Sequence, residues 1–389
     1  MFRISQFQQL IKPISRERFD QVSARHQADK HSKGFGCWDQ LIAMLYAQFS
    51  GAGSLRQIEA GFNSQHTHHY HLGTRCIRRS TLADANNKRP AALFCEIARS
   101  LMAGVRRKVR QDAEELLYLL DSTSITLKGR GFDGWTRDTR TRNTQGIKLH
   151  LLLLQAGQAL PCEQSITMAN VNDIDQALKL PLEAGARYVF DKGYCDYNWW
   201  ARMDRTGAYF VTRFKRNAAL RVEQTREIPT AAADEVLADE IVSFRHRHPG
   251  VGRRNGYTQP LRRITLARPD KAALVLATND LSADAQAIAA HYKARWQIEL
   301  YFKWIKQHLR IKQFVGRSQN AVRIQVLTAL IAYLLLVLYR QCHDKTRDLW
   351  TLLGQLRATL FQRPSIEAMR YRRRREQQLA FDRLQPKLL

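Results

Sequence analysis

Three acids in this chain stand where metal ligands for phosphoryl chemistry would stand. Asp121 follows the apolar run Leu116-Leu117-Tyr118-Leu119-Leu120, and Asp191 follows Tyr188-Val189-Phe190. A carboxylate just past a buried strand is held at the rim of a sheet, where ligand sites form in α/β folds. Taken singly, either Asp reads more simply as a cap on the turn or helix after it; together, on so basic a chain, they favour metal. The third acid, Glu299, stands in the array Tyr292-x2-Arg295-x3-Glu299-x6-Lys306. At about 100° per residue these four side chains share one face of one helix. An exposed face of i,i+4 ion pairs is the plainer account, but such a face has no use for the Tyr. Ile298, Tyr301, Ile305 and Leu309 supply an opposite, apolar stripe. One carboxylate flanked by Arg, Lys and a phenol suits a metal ligand among phosphate contacts. Arg grips phosphate through paired hydrogen bonds and Lys acts as a point charge.

These residues need a sheet and a helix to hold them. Continuous apolar runs at 116–120 and 147–154 read as buried strands, and 187–190, 209–212 and 274–277 as three shorter ones. Helical patterns fall at 178–184 and 197–205 and, without interruption, from Ala285 to about Arg340. Strands in succession, then alternating with helices, predict a mixed α/β sheet. Before it, residues 1–111 read as a helical domain, with a helix at 37–49 ended by Gly51 and Gly53. Further helices start at Ser54, at Ser80 after a His-rich loop, and at 93–105. The core then divides into 112–213 and 272–340 around a β-rich insertion at 214–271. A basic helical tail occupies 341–389 and carries the run 370–375.

Bulk properties narrow the partner. The chain has 389 residues, with 62 Lys and Arg against 35 Asp and Glu, a net charge of +27. Such an excess attracts polyanions, of which nucleic acid is the usual one. A ribosome-associated protein or a membrane-surface binder would also be basic, but the N-terminus carries no basic amphipathic helix. The longest apolar run, 326–339, is shorter than the roughly 20 residues of a membrane span and reads as a core helix. The six cysteines form no C-x-x-C pair, and no signal-peptide pattern opens the chain, so a reducing cytoplasm is expected.

With these residues in view, the chain resembles the insertion-sequence-four family of DDE transposases, whose catalytic core is ribonuclease-H-like. Tyr292, Arg295, Glu299 and Lys306 match the family's Y-x2-R-x3-E-x6-K signature in full. Asp121 matches the first family Asp. Asp191-Lys192-Gly193-Tyr194-Cys195-Asp196 is similar to the D-R-G-Y-x-D segment, with Lys192 in place of Arg. The resemblance runs from roughly Phe7 to Arg340. It implies metal-dependent cleavage at transposon ends and strand transfer, with Asp121, Asp191 and Glu299 holding two Mg²⁺ ions, for which Mn²⁺ can substitute. It also implies double-stranded DNA as partner, both terminal inverted repeats and target, a homodimer pairing two ends, no membrane, and a bacterial cytoplasm. Phosphate or DNA contacts are expected from Tyr292, Arg295, Trp296, Lys306, Lys192 and Lys148. Some family members stack a flipped base on a Trp in the insertion. Here no Trp lies between Trp200 and Trp296, which leaves Phe244 or Tyr257, or a reaction without hairpins.

Weaker patterns have plainer readings beside them. His66, His68, His69 and His71 crowd one stretch without Cys or carboxylate at ligand spacing, so a loop is favoured over a zinc site. Lys148 and His150 share a strand face, and His150 is as readily a sheet residue as a neighbour of the acids. Asn279 either approaches the site or starts a turn. Arg56, Arg75, Arg78, Arg79, Arg106, Arg107 and Lys108 are phosphate candidates, each alone more simply a solvated charge. Trp296 stacks a base or packs in the core. The rival functions are a nuclease that cuts without joining, a DNA binder that has lost catalysis, and a structural protein of ribosomal RNA.

Overall fold

The computed structural model describes residues 4–30, 32–112, 115–127, 129–136, 145–156, 159–246, 254–269, 271–343, 346–362, 374 and 377. Seven helices come first: α1 (Gln6–Ile11), α2 (Arg16–Arg25), α3 (Cys37–Ser50), α4 (Leu55–Asn63), α5 (His69–Leu72), α6 (Arg79–Lys88) and α7 (Ala91–Asp112). After them come β1 (Leu117–Thr126), α8 (Asp133–Thr136), β2 (Gly146–Gln155), β3 (Ala159–Met168), α9 (Asp173–Ala177) and β4 (Arg187–Phe190). Next are α10 (Tyr197–Arg205), β5 (Tyr209–Arg213), β6 (Leu220–Thr225), β7 (Val236–Phe244), β8 (Leu261–Leu266) and β9 (Leu274–Thr278). The chain closes with α11 (Ala285–Ala294), α12 (Trp296–His308), α13 (Gln319–His343) and α14 (Leu349–Thr359). These elements form two compact units, one from Met1–Leu101 and Ile305–Leu389, the other from Met102–Trp304. This two-part division differs from the five stretches read along the sequence, because the first and last helices of the chain share one core.

The helical unit is organised by α3 and α13, which pack together and against α6, α4, α1 and α14. Both are apolar on nearly every side, which a helix tolerates only when it is surrounded. Cys37 to Phe49 is buried without a break, and Gly51 ends α3 in the left-handed conformation (φ +78°) that a side chain would strain. Helix α13 is long and apolar enough to cross a membrane, but 89% of its apolar window is buried inside the protein. The expected helix from Ala285 to Arg340 is interrupted twice. Arg295 separates α11 from α12, and residues 309–318 form an irregular turn. Gln325, buried on α13, holds that turn by donating to the Arg310 and Gln313 carbonyls and accepting from Val315 N–H.

The second unit is a mixed nine-stranded sheet in the order β3-β2-β1-β4-β5-β9-β8-β7-β6, flanked by helices. β1, β2 and β3 run antiparallel, β4 and β5 are parallel to β1, and β9 pairs antiparallel with β5. The insertion strands β6, β7 and β8 thus extend the same sheet instead of forming a separate one. On one face, Trp199, Trp200 and Met203 of α10 bury against Tyr118, Tyr188, Phe190 and Phe210. Strand β3 carries no clean alternation and was not legible in the sequence. The helix expected at 178–184 is absent: α9 lies earlier, and Pro181 and Gly185 interrupt the segment after it. The His-rich stretch is not a loop but a 3-10 turn (His66–His68) leading into α5.

One buried ion pair clamps the insertion. Arg262 on β8 makes two hydrogen bonds to Asp239 on β7, at 2.8 and 2.7 Å, and also donates to the Ala283 carbonyl ahead of α11. Arg262 is 1% exposed. Removing one partner of such a pair leaves an uncompensated charge and costs about 3–5 kcal/mol. Arg262→Ala is therefore expected to lower unfolding free energy by that amount in denaturant melts. A loss below about 1 kcal/mol would mean that Arg226, 3.6 Å from Asp239, takes over.

Candidate active site at the strand ends

The pairing of β1 with β4 ends at Leu120 opposite Phe190. The next residues in register are Asp121 and Asp191, and β5 continues the row with Arg213. Asp121 does not end its strand, although the sequence suggested that it would. β1 continues to Thr126 because β2 still pairs with it on the other side. Side chains alternate along strands, so these three residues lie on the face opposite Tyr118, Tyr188 and Phe210. That face receives the junction of α11 and α12. Arg295 ends α11 in a helical conformation (φ −52°, ψ −32°), so the i,i+4 relation to Glu299 survives the break. Its guanidinium donates to Glu299 at 2.6 Å and lies 3.5 Å from Asp121. Arg213 bonds Asp191.

The charges are crowded. Burial pushes the Asp121 carboxyl up to about 6; the Ser122 N–H and Arg295 oppose this, while Glu299 and Asp191 add to it. For Asp191, burial also pushes upward, but the Arg213 hydrogen bond, the Lys192 N–H and the two guanidiniums outweigh it, and its pKa falls below the usual range. Burial raises the Tyr292 phenol despite Arg213 and Arg295 nearby, and its ring lies under the Arg295 guanidinium at 5.8 Å. Among the described residues no three His, Cys, Asp or Glu side chains converge as a ready metal cage. The reason is visible: Arg295 bridges Asp121 and Glu299, and Arg213 holds Asp191. An all-carboxylate donor set, with Asp121 buried enough to resist ionisation, suits a hard divalent cation that keeps water and substrate oxygens as further ligands.

The other expected contacts divide. Lys192 is exposed in the turn after Asp191, and Trp296 is 56% exposed beside Leu300, so it is not a core Trp. Lys148 is committed elsewhere, 3.1 Å from Asp173 and donating to the Val171 carbonyl, on the opposite face of the sheet. His150 is on that face too, bonded to Thr167 Oγ1. Lys306 belongs to the helical unit, half-buried, its pKa lowered by burial and then by Lys312. Asn279 is a turn residue bonded to Phe210 N–H, Ala208 O and Asp204. Tyr257 is buried and Phe244 packs 4.4 Å from Tyr197, so neither ring is presented for stacking. His69 is buried, bonds the Phe62 carbonyl and stacks on its ring, a structural role. Arg106 is held by Glu183 and Tyr118, whereas Arg56, Arg75, Arg78, Arg79 and Arg107 are exposed. The Lys108 side chain and most of the run 370–375 lie outside the described residues. Sequence reasoning missed Arg213. It closes a short strand with no motif around it, and only sheet register puts it beside Asp191.

The raised Asp121 value has a consequence for stability. Its folded value of about 6 exceeds the ordinary 3.8, so between those values the folded chain binds the extra proton. Stability of the metal-free protein therefore falls as pH rises from 4 to 6 and stays reduced above. In chelator at pH 7.5, Asp121→Asn is expected to stabilise by about 1–3 kcal/mol, and the gain should vanish near pH 4. Equal melting of the two proteins at both pH values would contradict the assigned burial.

The comparisons with known proteins agree with this architecture. The profile of the transposase DDE domain matches residues 112–335, more than half of the chain, and a domain of unknown function (DUF4372) matches residues 3–75. A Sinorhizobium fredii protein named as the transposase y4zB is 39% identical over 288 residues, covering 74% of this chain and 79% of that protein. A Synechocystis protein named as the transposase of insertion sequence element IS4SA is 26% identical over 67% of this chain and 71% of its own length. A Geobacillus stearothermophilus protein named for element IS5377 is 25% identical over 69% and 68%. The chain belongs to the DDE transposases of insertion sequence elements, enzymes that act on DNA and use divalent metal ions.

Proposed function

We propose that Asp121, Asp191 and Glu299 are the acids that hold two Mg²⁺ ions, and that the protein cuts its element free at the terminal inverted repeats and joins it to target DNA. The observation that carries this reading is the placement of Asp121 and Asp191 in adjacent register, with Arg295 tying Glu299 to Asp121. When bound, such ions activate an attacking oxygen and stabilise the leaving one. Asp121 neighbours Asp191 in register and shares Arg295 with Glu299, so it would help to hold both ions. Arg213 and Arg295 offset the negative charge of the three acids when DNA is absent. Each keeps a buried Nε–H with no acceptor among the described residues, a donor suited to a phosphate oxygen. Tyr292, under Arg295, shapes the same wall. Trp296 and Leu300 offer an exposed apolar pair next to Glu299, suited to stacking a base at the DNA end. Lys192 and Lys306 are proposed as further phosphate contacts.

The strand order β3-β2-β1-β4-β5, antiparallel then parallel, supports a ribonuclease-H-like core. In this reading residues 1–111 help to bind DNA, 214–271 are the inserted region between the second Asp and the Glu, 112–213 and 272–340 are the core, and 341–389 add basic contacts. The active assembly is a pair of copies bridging two ends in a bacterial cytoplasm.

The test is cleavage of a labelled duplex carrying the element's own terminal repeat. Wild type is expected to nick at the repeat boundary with Mg²⁺ or Mn²⁺ and not with Ca²⁺. Glu299→Ala and Asp191→Ala should bind the duplex and leave it intact. Cleavage retained by Asp191→Ala would remove that residue from the site. Binding without cutting by wild type under every metal would favour a DNA binder that has lost catalysis.

A further inference from the structure

The two Asp residues sit one step past the last β1–β4 pair, Leu120 opposite Phe190, so the ladder brings them into register without bonding them to each other. On the reverse face, directly behind them, one carboxylate gathers the surrounding elements. Asp173, the first residue of α9, accepts from Ser122 Oγ at 2.7 Å, forms an ion pair with Lys148 Nζ at 3.1 Å, and has its Oδ1 3.5 Å from His150 Nδ1. Ser122 is the residue after Asp121, and His150 faces it across the β1–β2 ladder. Lys148 also donates to the Val171 carbonyl, closing the loop that leads into α9. Helix α9 packs against the 3-10 turn Lys192–Tyr194, the segment immediately after Asp191. The buried Tyr194 ring lies in the core beneath.

We propose that Asp173 is a positioning residue for the carboxylate centre: by bonding Ser122 and seating α9 on the 192–194 turn, it sets the spacing of Asp121 and Asp191 one step past the ladder. The inference rests on the reading that these two residues hold metal. Asp173 touches no reacting atom, since its contacts are on the far side of the sheet from Arg295 and Glu299. Ser122 lies on β1 and the 192–194 turn follows β4, far apart in the chain; α9 touches both, alongside the direct approach of the Tyr194 phenol to Ser122. Residues that hold metal ligands in place typically contribute about 10- to 100-fold to metal affinity.

The experiment measures Mn²⁺ affinity by electron paramagnetic resonance, together with melting temperature and affinity for repeat duplex, in the full-length protein. Asp173→Ala is expected to weaken Mn²⁺ binding by about 10- to 100-fold, with duplex affinity retained. Asp173→Asn, which keeps an acceptor for Ser122 but loses the charge facing Lys148, should fall between. Gln176→Ala removes a neighbouring α9 contact, to Ser165 at 3.0 Å, without touching Ser122, and should leave Mn²⁺ affinity unchanged. An unchanged affinity in folded Asp173→Ala overturns the proposal. So does a loss matched by Gln176→Ala at equal melting temperature, which would make the role of α9 merely structural. The control is Glu299→Ala: if wild-type Mn²⁺ binding is insensitive to it, the metal reading itself fails, a result distinct from an Asp173 variant that binds normally.

Discussion

Much of the second unit depends on one constraint, the crowding of three carboxylates, two on a sheet face and one on the helix that meets it, in a place only partly open to water. Like charges at short range raise one another's cost of ionisation, and burial raises it further. Asp121 carries most of that cost, and Asp191 escapes it through Arg213. The two arginines come from different directions, Arg213 from the neighbouring strand and Arg295 from the junction of α11 and α12. Arg295 acts on all three acids, and Arg213 adds the direct bond to Asp191 that Arg295 does not make. A metal ion bound there would meet carboxylates already exposed to positive charge, and the arginines it released would be free for phosphate.

Around this centre the sheet is braced on both sides. The α10 face is a dry aromatic core in which Trp199 and Trp200 pack on Phe190 and Phe210. It fixes β4 and β5 rigidly up to the residues that carry Asp191 and Arg213. At the other end of β4, Arg187 is buried between Glu115 and Asp280, which ties the start of the strand to the segment before α11. The insertion strands are locked to that same segment through Arg262 and the Ala283 carbonyl. The helix bearing Arg295 is thus approached from two directions by buried ion pairs, an arrangement that is costly in desolvation but sets position tightly.

The parts legible in the sequence were those written in local patterns. Apolar runs marked β1, β2, β4, β5 and β9, Gly51 marked the end of α3, and the four-point spacing singled out Glu299 and its Arg. Strand β3 escaped because its inward positions include Pro161, Cys162 and Gln164 and show no period of two. Lys148 looked like a phosphate contact because a strand position cannot say which face of the sheet it will occupy. Trp296 was ambiguous between core and surface for a similar reason, and its exposure depended on how α12 meets the sheet.

What the sequence by itself determined is the set of acids, the helix face that carries one of them, and the basic character that points to DNA. These are encoded within a few residues, in helix and strand period and in composition. Tertiary structure alone decided that Arg213 falls in register with Asp191, that the break at Arg295 spares its reach to Glu299, and that Asp173 lies behind Asp121. Most of these relations join segments far apart in the chain, and such pairings are chosen by sheet register and core packing over the whole unit, for which no local pattern exists.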